Sequence, residues 1–378
     1  MGRVPVVVPS PPLPEPVHEV AQAYVRAPGP APALRGGQVT AGGPDVCVLG
    51  VDSGGSGLRV ALGSAVTGGQ VITATCAEPV RTGPSGIDAA HLLAQVLPVA
   101  RDLLARAAPG ATVTAAAVGA AGMATLGDQL RALLPTALAD ALGVRRVALA
   151  ADAVTAYAGA LGQRPGAVVA GGTGMIALGT DLAVWRRADG WGHLLGDSGG
   201  GAWIGRAGLD AAMRAHDGRR GGSAALLARL EAVFGPAAGL PGLLYPRTDR
   251  PALLASFAPE VAACATGDEV AAGILRSAAA HIAESAAAAC PPPRAASGRS
   301  EGGDGEPCEV ALTGGLFKMG DPLLGPLHAE LARRVPQARV VRASGDPLAG
   351  ALEIGRALAH SELRLPPHPT LLFLPDAA

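Results

Sequence analysis

Two glycine turns and two aspartates are the residues of this 378-residue chain best suited to chemistry. The turns are GGSG at 54–57 and GGTG at 171–174, and the aspartates are Asp52 and Asp152. Gly54, Gly55 and Gly57, like Gly172 and Gly174, free the backbone and let amides approach an anion with no Cβ in the way. Thr173 adds a hydroxyl donor, and Ser56 holds the matching position in the first turn. Apolar strand-length runs flank both turns, in VCVLGVDSGGSGLRVAL at 46–62 and in AVVAGGTGMIAL at 167–178. This is the pattern of a phosphate cradle on a β-hairpin, whereas the Rossmann and P-loop glycines lead straight into a helix. A GGTG taken alone is also an ordinary hairpin turn.

Asp52 ends the first strand beside its glycine turn. A carboxylate there would repel phosphate unless a divalent cation lay between, and Mg²⁺, which keeps its waters, suits that place. The plainer alternative is an Asx-type turn starter. Asp152 closes a strand and precedes a helix, so it can cap that helix. It can also serve as general base, taking a proton from a hydroxyl that attacks a γ-phosphate. A third glycine pair, Gly314 and Gly315, follows the strand-like 310–313 and leads towards a helix.

Two phosphate hairpins and a later glycine pair, in this order, resemble the actin–hexokinase superfamily. Within it, 50–358 resembles the N-acetylglucosamine kinase and BadF/BadG-type ATPase family, most specifically through GWGHLLGDSG at 190–199. The resemblance implies a two-domain actin-like (ribonuclease H-like) α/β ATPase fold with an interdomain cleft. It implies an ATP-dependent sugar kinase acting on an amino sugar, N-acetylglucosamine or glucosamine first. Gly54–Gly57, Gly172, Thr173 and Gly174 would hold the phosphates of ATP, and Gly314, Gly315 and Lys318 would border its adenosine. Asp52 would hold Mg²⁺ through water. Asp152, twenty-one residues before Thr173, would be the catalytic base. Gly190, Trp191, Gly192 and Asp197, with Ser85, would hold the sugar. Dimerisation is common in the family, so a homodimer is allowed. Two positions depart from the family pattern: Met175 and Ile176 replace the polar residues usual after GTG, and GPSGID at 83–88 has no asparagine. The alternative is therefore an ATP-driven conformational switch or a sugar-sensing regulator with little kinase turnover.

The elements that must position these residues alternate between strand and helix. Residues 1–44 are proline-rich and read as a flexible arm, with a short helix at 17–25. The first domain is expected at 45–162 and the second at 163–362. A low-complexity insertion, expected to be disordered, spans 291–307, and a tail with an apolar TLLFL patch spans 363–378. Expected helices include 88–107, 126–142, 153–161, 202–215, 251–266, 268–289 and 348–360. Expected strands include 70–79, 112–118, 144–150 and 338–342. The net charge of −1 and 3% aromatic content give neither a basic field nor a stacking platform for nucleic acid. No apolar run reaches membrane-spanning length. Five scattered cysteines read as incidental thiols in a reducing compartment, and the expected location is the cytoplasm.

Overall fold

The computed structural model describes residues 46–54, 57–76, 78, 80–83, 86–107, 109–292 and 308–375. The expected arm and its helix at 17–25, Gly55, Ser56, Ser85 and most of the 291–307 insertion lie outside these residues.

The strands are β1 (Val46–Gly54), β2 (Gly57–Ser64), β3 (Val71–Cys76), β4 (Thr82–Gly83), β5 (Gly86–Ile87), β6 (Thr112–Ala120), β7 (Arg146–Ala151), β8 (Gly166–Gly171), β9 (Met175–Thr180), β10 (Trp185–Asp189), β11 (Cys308–Thr313), β12 (Ala338–Arg342) and β13 (Leu372–Phe373). Two mixed sheets form, in the orders β13-β7-β6-β1-β2-β3 and β10-β9-β8-β11-β12. Each contains an antiparallel three-strand meander, β1-β2-β3 or β8-β9-β10, extended from its first strand by two parallel strands, β6-β7 or β11-β12. The described ends of the two glycine turns, Gly54 and Gly57 in one and Gly171 and Gly174 in the other, occupy the same place in each repeat, at the tip of the first hairpin. This repetition places the GGSG–GGTG likeness in three dimensions.

Helices fill the crossovers: α1 (Ala89–Ala105), α2 (Met123–Leu126), α3 (Asp128–Leu142), α4 (Asp152–Leu161), α5 (Gly201–His216), α6 (Ala224–Phe234), α7 (Leu240–Leu244), α8 (Arg250–Ser256), α9 (Ala258–Cys264), α10 (Glu269–Ala289), α11 (Asp321–Arg334) and α12 (Pro347–His360). Asp88, Ser223, Asp268 and Asp346 cap their helices by accepting backbone amides. The expected helix 126–142 is interrupted at Gly127 and the expected helix 251–266 at Phe257. The cysteine reading is corrected as well. Cys290 at the end of α10 is disulfide-bonded to Cys308 at the start of β11, while Cys47, Cys76 and Cys264 are not disulfide-bonded. Sequence spacing gave no sign of this, because the pair is seventeen intervening residues apart and meets only when α10 and β11 are placed.

Each repeat ends in a strand followed by an aspartate and a helix: β7 with Asp152 and α4, β12 with Asp346 and α12. These two helices pack on each other, and glycine sets their separation. A Cβ on Gly159 would stand 2.1 Å from the Asp346 carbonyl oxygen, and one on Gly350 would stand 1.9 Å from that of Thr155. Gly350→Ala adds helix propensity of about 1 kcal/mol, but it forces this crossing apart. Overpacking on the order of 3 kcal/mol outweighs that gain, so thermal unfolding of the variant is expected several degrees below wild type. An unchanged or raised midpoint would contradict so close a crossing.

Candidate active site

The first hairpin ends with Gly54 paired to Gly57, whose φ is +135°. Just before it, Asp52 is buried and faces Arg59 across the β1–β2 register. Arg59 donates to Asp52 Oδ2 from Nε (3.1 Å) and Nη2 (2.5 Å), and from Nη1 to Asp346 Oδ2 (2.5 Å). One guanidinium therefore joins β1 to the start of α12. Burial raises the Asp52 pKa, and the Arg59 contacts offset this only in part. Burial also acts to raise Asp346, but the Ala349 amide and Arg59 together hold it below the usual value. The remaining oxygen of Asp52, Oδ1, accepts nothing from the described residues. A carboxylate with one oxygen unengaged by the described residues, beside a glycine hairpin, fits a residue that would hold Mg²⁺ through water, an ion that needs few protein ligands.

The second hairpin turn is docked on α5. Gly201 and Ala202 donate to the carbonyls of Gly172 (2.9 Å) and Thr173 (2.8 Å), while Gly172 and Thr173 stay exposed. Gly171 lies against Gly314: a Cβ on Gly314, whose φ is +103°, would stand 2.1 Å from the Gly171 carbonyl oxygen. The third glycine pair thus abuts the second turn. Gly315 opens a short 3-10 helix, Gly315–Met319, on which Lys318 is exposed.

Asp152 is the first residue of α4, and its Oδ1 accepts the Ala153 amide at 2.9 Å. It lines a cleft of about 300 Å³ together with Gly190, Trp191 and Gly192. Burial pushes its pKa up to about 6. The Ala153 amide opposes that rise, nearby Asp52 adds to it, and Arg187 pulls it down. A carboxyl tuned to this range suits proton transfer near neutral pH.

The 190–197 loop is held from within. Asp189, with φ +59°, accepts the amides of Asp197 (2.6 Å) and Ser198 (2.9 Å). Asp197, with φ +55°, accepts the Gly192 amide at 3.0 Å. Its carboxylate also lies against Gly174, where a Cβ would be 2.3 Å from Oδ2. Asp197 therefore links the 190–192 loop to the second glycine turn and is not among the residues lining the cleft. Sequence reasoning missed Arg187. It donates to the carbonyls of Asp189 (3.0 Å) and Gly190, lies 4.1 Å over the Trp191 ring, and lines the cleft. Four residues before Trp191, it sits on β10, a strand not anticipated. Gly122, Ala124 and Thr125, at the start of α2, and Leu371 also line the cleft, and the sequence assigns none of them to the site. Met175 is buried in the core, whereas Ile176 lines the cleft. Among the described residues, no helix is long and apolar enough to cross a membrane.

Among solved structures, a candidate N-acetylglucosamine kinase from Chromobacterium violaceum is 28% identical, with a TM-score of 0.55, covering 81% of this chain and 97% of that one. A second candidate N-acetylglucosamine kinase, from Porphyromonas gingivalis, is 17% identical with a TM-score of 0.56, covering 82% and 98%, and supports the fold. No curated protein matches the sequence. The BadF/BadG/BcrA/BcrD ATPase family model matches residues 49–355, a span that holds both glycine hairpins, Asp152, the 190–197 loop and Gly314–Gly315. This chain belongs to the BadF/BadG/BcrA/BcrD ATPase family.

Proposed function

We propose that the protein is an ATP-dependent sugar kinase that phosphorylates a hydroxyl of an amino sugar, N-acetylglucosamine before glucosamine. The observation that carries this reading is Asp152. A carboxyl with its pKa raised to about 6 shares one cleft with the Gly190–Trp191–Gly192 loop, and its charge is felt together with that of Asp52 beside the first glycine turn. The likeness to the Chromobacterium violaceum structure supports the sugar class.

In this reading 45–162 and 163–362 act as two domains that close over ATP and sugar and exclude water. The phosphates of ATP lie against the Gly54–Gly57 and Gly172–Gly174 turns, with Gly314, Gly315 and Lys318 beside the adenosine. Asp52 would hold Mg²⁺ through water, and the ion would supply neutralisation of phosphate charge. Gly190, Trp191 and Gly192 position the sugar, Asp197 steadies that loop, and Ser85 is a further contact. Asp152 accepts the proton of the acceptor hydroxyl as its oxygen bonds to the γ-phosphorus. The bond from that phosphorus to the bridging oxygen breaks, ADP leaves, and Asp152 holds the proton until solvent takes it.

Ile176 favours a second reading. Its apolar side chain stands in the cleft wall where a polar sugar contact would serve a kinase, which suits an ATP-driven switch or a sugar sensor. A coupled ADP-release assay with Mg-ATP across amino sugars, N-acetylated sugars and hexoses separates the two. The kinase reading expects acceptor-dependent ADP release, largest with N-acetylglucosamine. ADP release indifferent to every sugar would favour the switch.

A further inference from the structure

The chain beyond the family-matched region, which ends at residue 355, does not trail away from the molecule. After α12, Ser361 turns the backbone with φ +61°. The segment that follows is then tied down at successive points. Gln163 accepts the Arg364 amide at 2.5 Å. Leu365 is buried. The indole of Trp185, on β10 of the second sheet, donates to the Pro366 carbonyl at 2.7 Å. A tight turn follows, closed by paired bonds between His368 and Leu372 (2.9 and 3.1 Å), with His368 Nδ1 accepting the amides of Thr370 (3.2 Å) and Leu371 (3.1 Å). β13 then adds to the edge of the first sheet, pairing Leu372 with Ala150 and Phe373 with Leu149. One segment therefore bonds to both sheets.

Its attachment point matters chemically. The Leu371 carbonyl accepts the amide of Ala151 at 2.8 Å, one residue before Asp152. Leu371 is among the residues that line the cleft holding Asp152, with Ile176 and Trp191 the other large apolar residues of its wall. Leu371 is only 7% exposed, so it is packed in place and shapes that wall.

We infer that the C-terminal segment 362–373 is a wall of the acceptor cleft, with Leu371 its selectivity-determining side chain, favouring acceptors with an apolar substituent such as an N-acyl methyl. The inference rests on the reading of this cleft as the acceptor site. Leu371 acts by contact with the substituent and not on the transferred proton. A pocket wall that covers one methyl group discriminates by roughly ten- to two-hundred-fold. Removing most of that wall is therefore expected to erase most of the preference.

The test measures ADP release by the full chain with N-acetylglucosamine and with glucosamine, for wild type, Leu371→Ala and Leu371→Met. In Leu371→Ala the KM for N-acetylglucosamine is expected to rise about tenfold, with the KM for ATP unchanged. The preference for N-acetylglucosamine over glucosamine should shrink by a similar factor, and Leu371→Met should restore both to within about threefold of wild type. If Leu371→Ala does not fold, Leu371→Val is read in the same way for a smaller change. An unchanged acceptor KM and preference would overturn the inference while leaving the kinase reading intact, and so would a parallel rise in both KM values, the mark of general loosening. A wild type that phosphorylates neither sugar would overturn the kinase reading, and this inference with it.

Discussion

Replacing Asp152 by Asn is expected to lower acceptor-dependent phosphoryl transfer by about 10²- to 10⁴-fold, the usual contribution of a positioned general base. The amide keeps the size of the side chain and an oxygen for the Ala153 amide, but it cannot take up a proton. Binding of ATP, held by the glycine turns, should be unchanged, as titration calorimetry would establish. In the wild type the rate should fall about tenfold per pH unit below a pKa near 6, because only the ionised carboxylate accepts the proton. The same substitution should stabilise the protein. Asp152 titrates near 6 when folded and near 3.8 when unfolded, so the folded state binds more protons between those values. Its contribution to stability is greatest below the unfolded value and is lost as pH rises through 6. At neutral pH the ionised, enclosed carboxylate thus costs on the order of 1–3 kcal/mol, which Asn removes. A higher melting temperature at pH 7, shrinking towards pH 4, is the expected signature. A variant with wild-type turnover would remove the assignment of Asp152 as base.

Gly174→Ala is expected to lower kcat/KM by about 10²-fold, although the added group is only a methyl. That methyl would stand 2.3 Å from Asp197 Oδ2 and 2.9 Å from its Cγ. Asp197 has little room to yield, since its backbone is left-handed at φ +55° and its amide is bonded to Asp189 at 2.6 Å. Either the carboxylate leaves the Gly192 amide or the glycine turn lifts away from α5. The first displaces the sugar-side loop and the second displaces the phosphate turn, so both substrates should bind less well. Steady-state kinetics with ATP and acceptor varied in turn would show it. Activity within threefold of wild type would mean that Asp197 and Gly174 are not coupled as described.

The parts of this site legible in the sequence are those whose chemistry is local. Both glycine turns, Asp52 and Asp152 stand where their own neighbours signal a turn, a strand end or a helix start, and the Gly190–Gly192 loop is reached through the family resemblance. Asp152, Gly190, Trp191 and Gly192 do share one cleft. The resemblance assigns Asp197 to the sugar, and the structure shows its carboxylate accepting the Gly192 amide and resting on Gly174. What could not be read depends on pairings between distant residues. Arg59 meets Asp346 across 287 positions, and nothing near either residue announces the other. Arg187 gains its place from the β9–β10 register and from stacking on Trp191. The apolar TLLFL patch carries no role in the sequence, and only the pairing with β7 brings Leu371 to the cleft. The Cys290–Cys308 bond depends in the same way on where α10 and β11 meet.

The most direct test of the central claim follows the protein, Mg-ATP and N-acetylglucosamine by phosphorus NMR, beside the Asp152→Asn variant. A sugar phosphate ester is expected to accumulate in step with ADP in the wild type and to be reduced at least about a hundredfold in the variant. ADP and inorganic phosphate appearing with no sugar ester, or an ester formed equally fast by the variant, would contradict that claim.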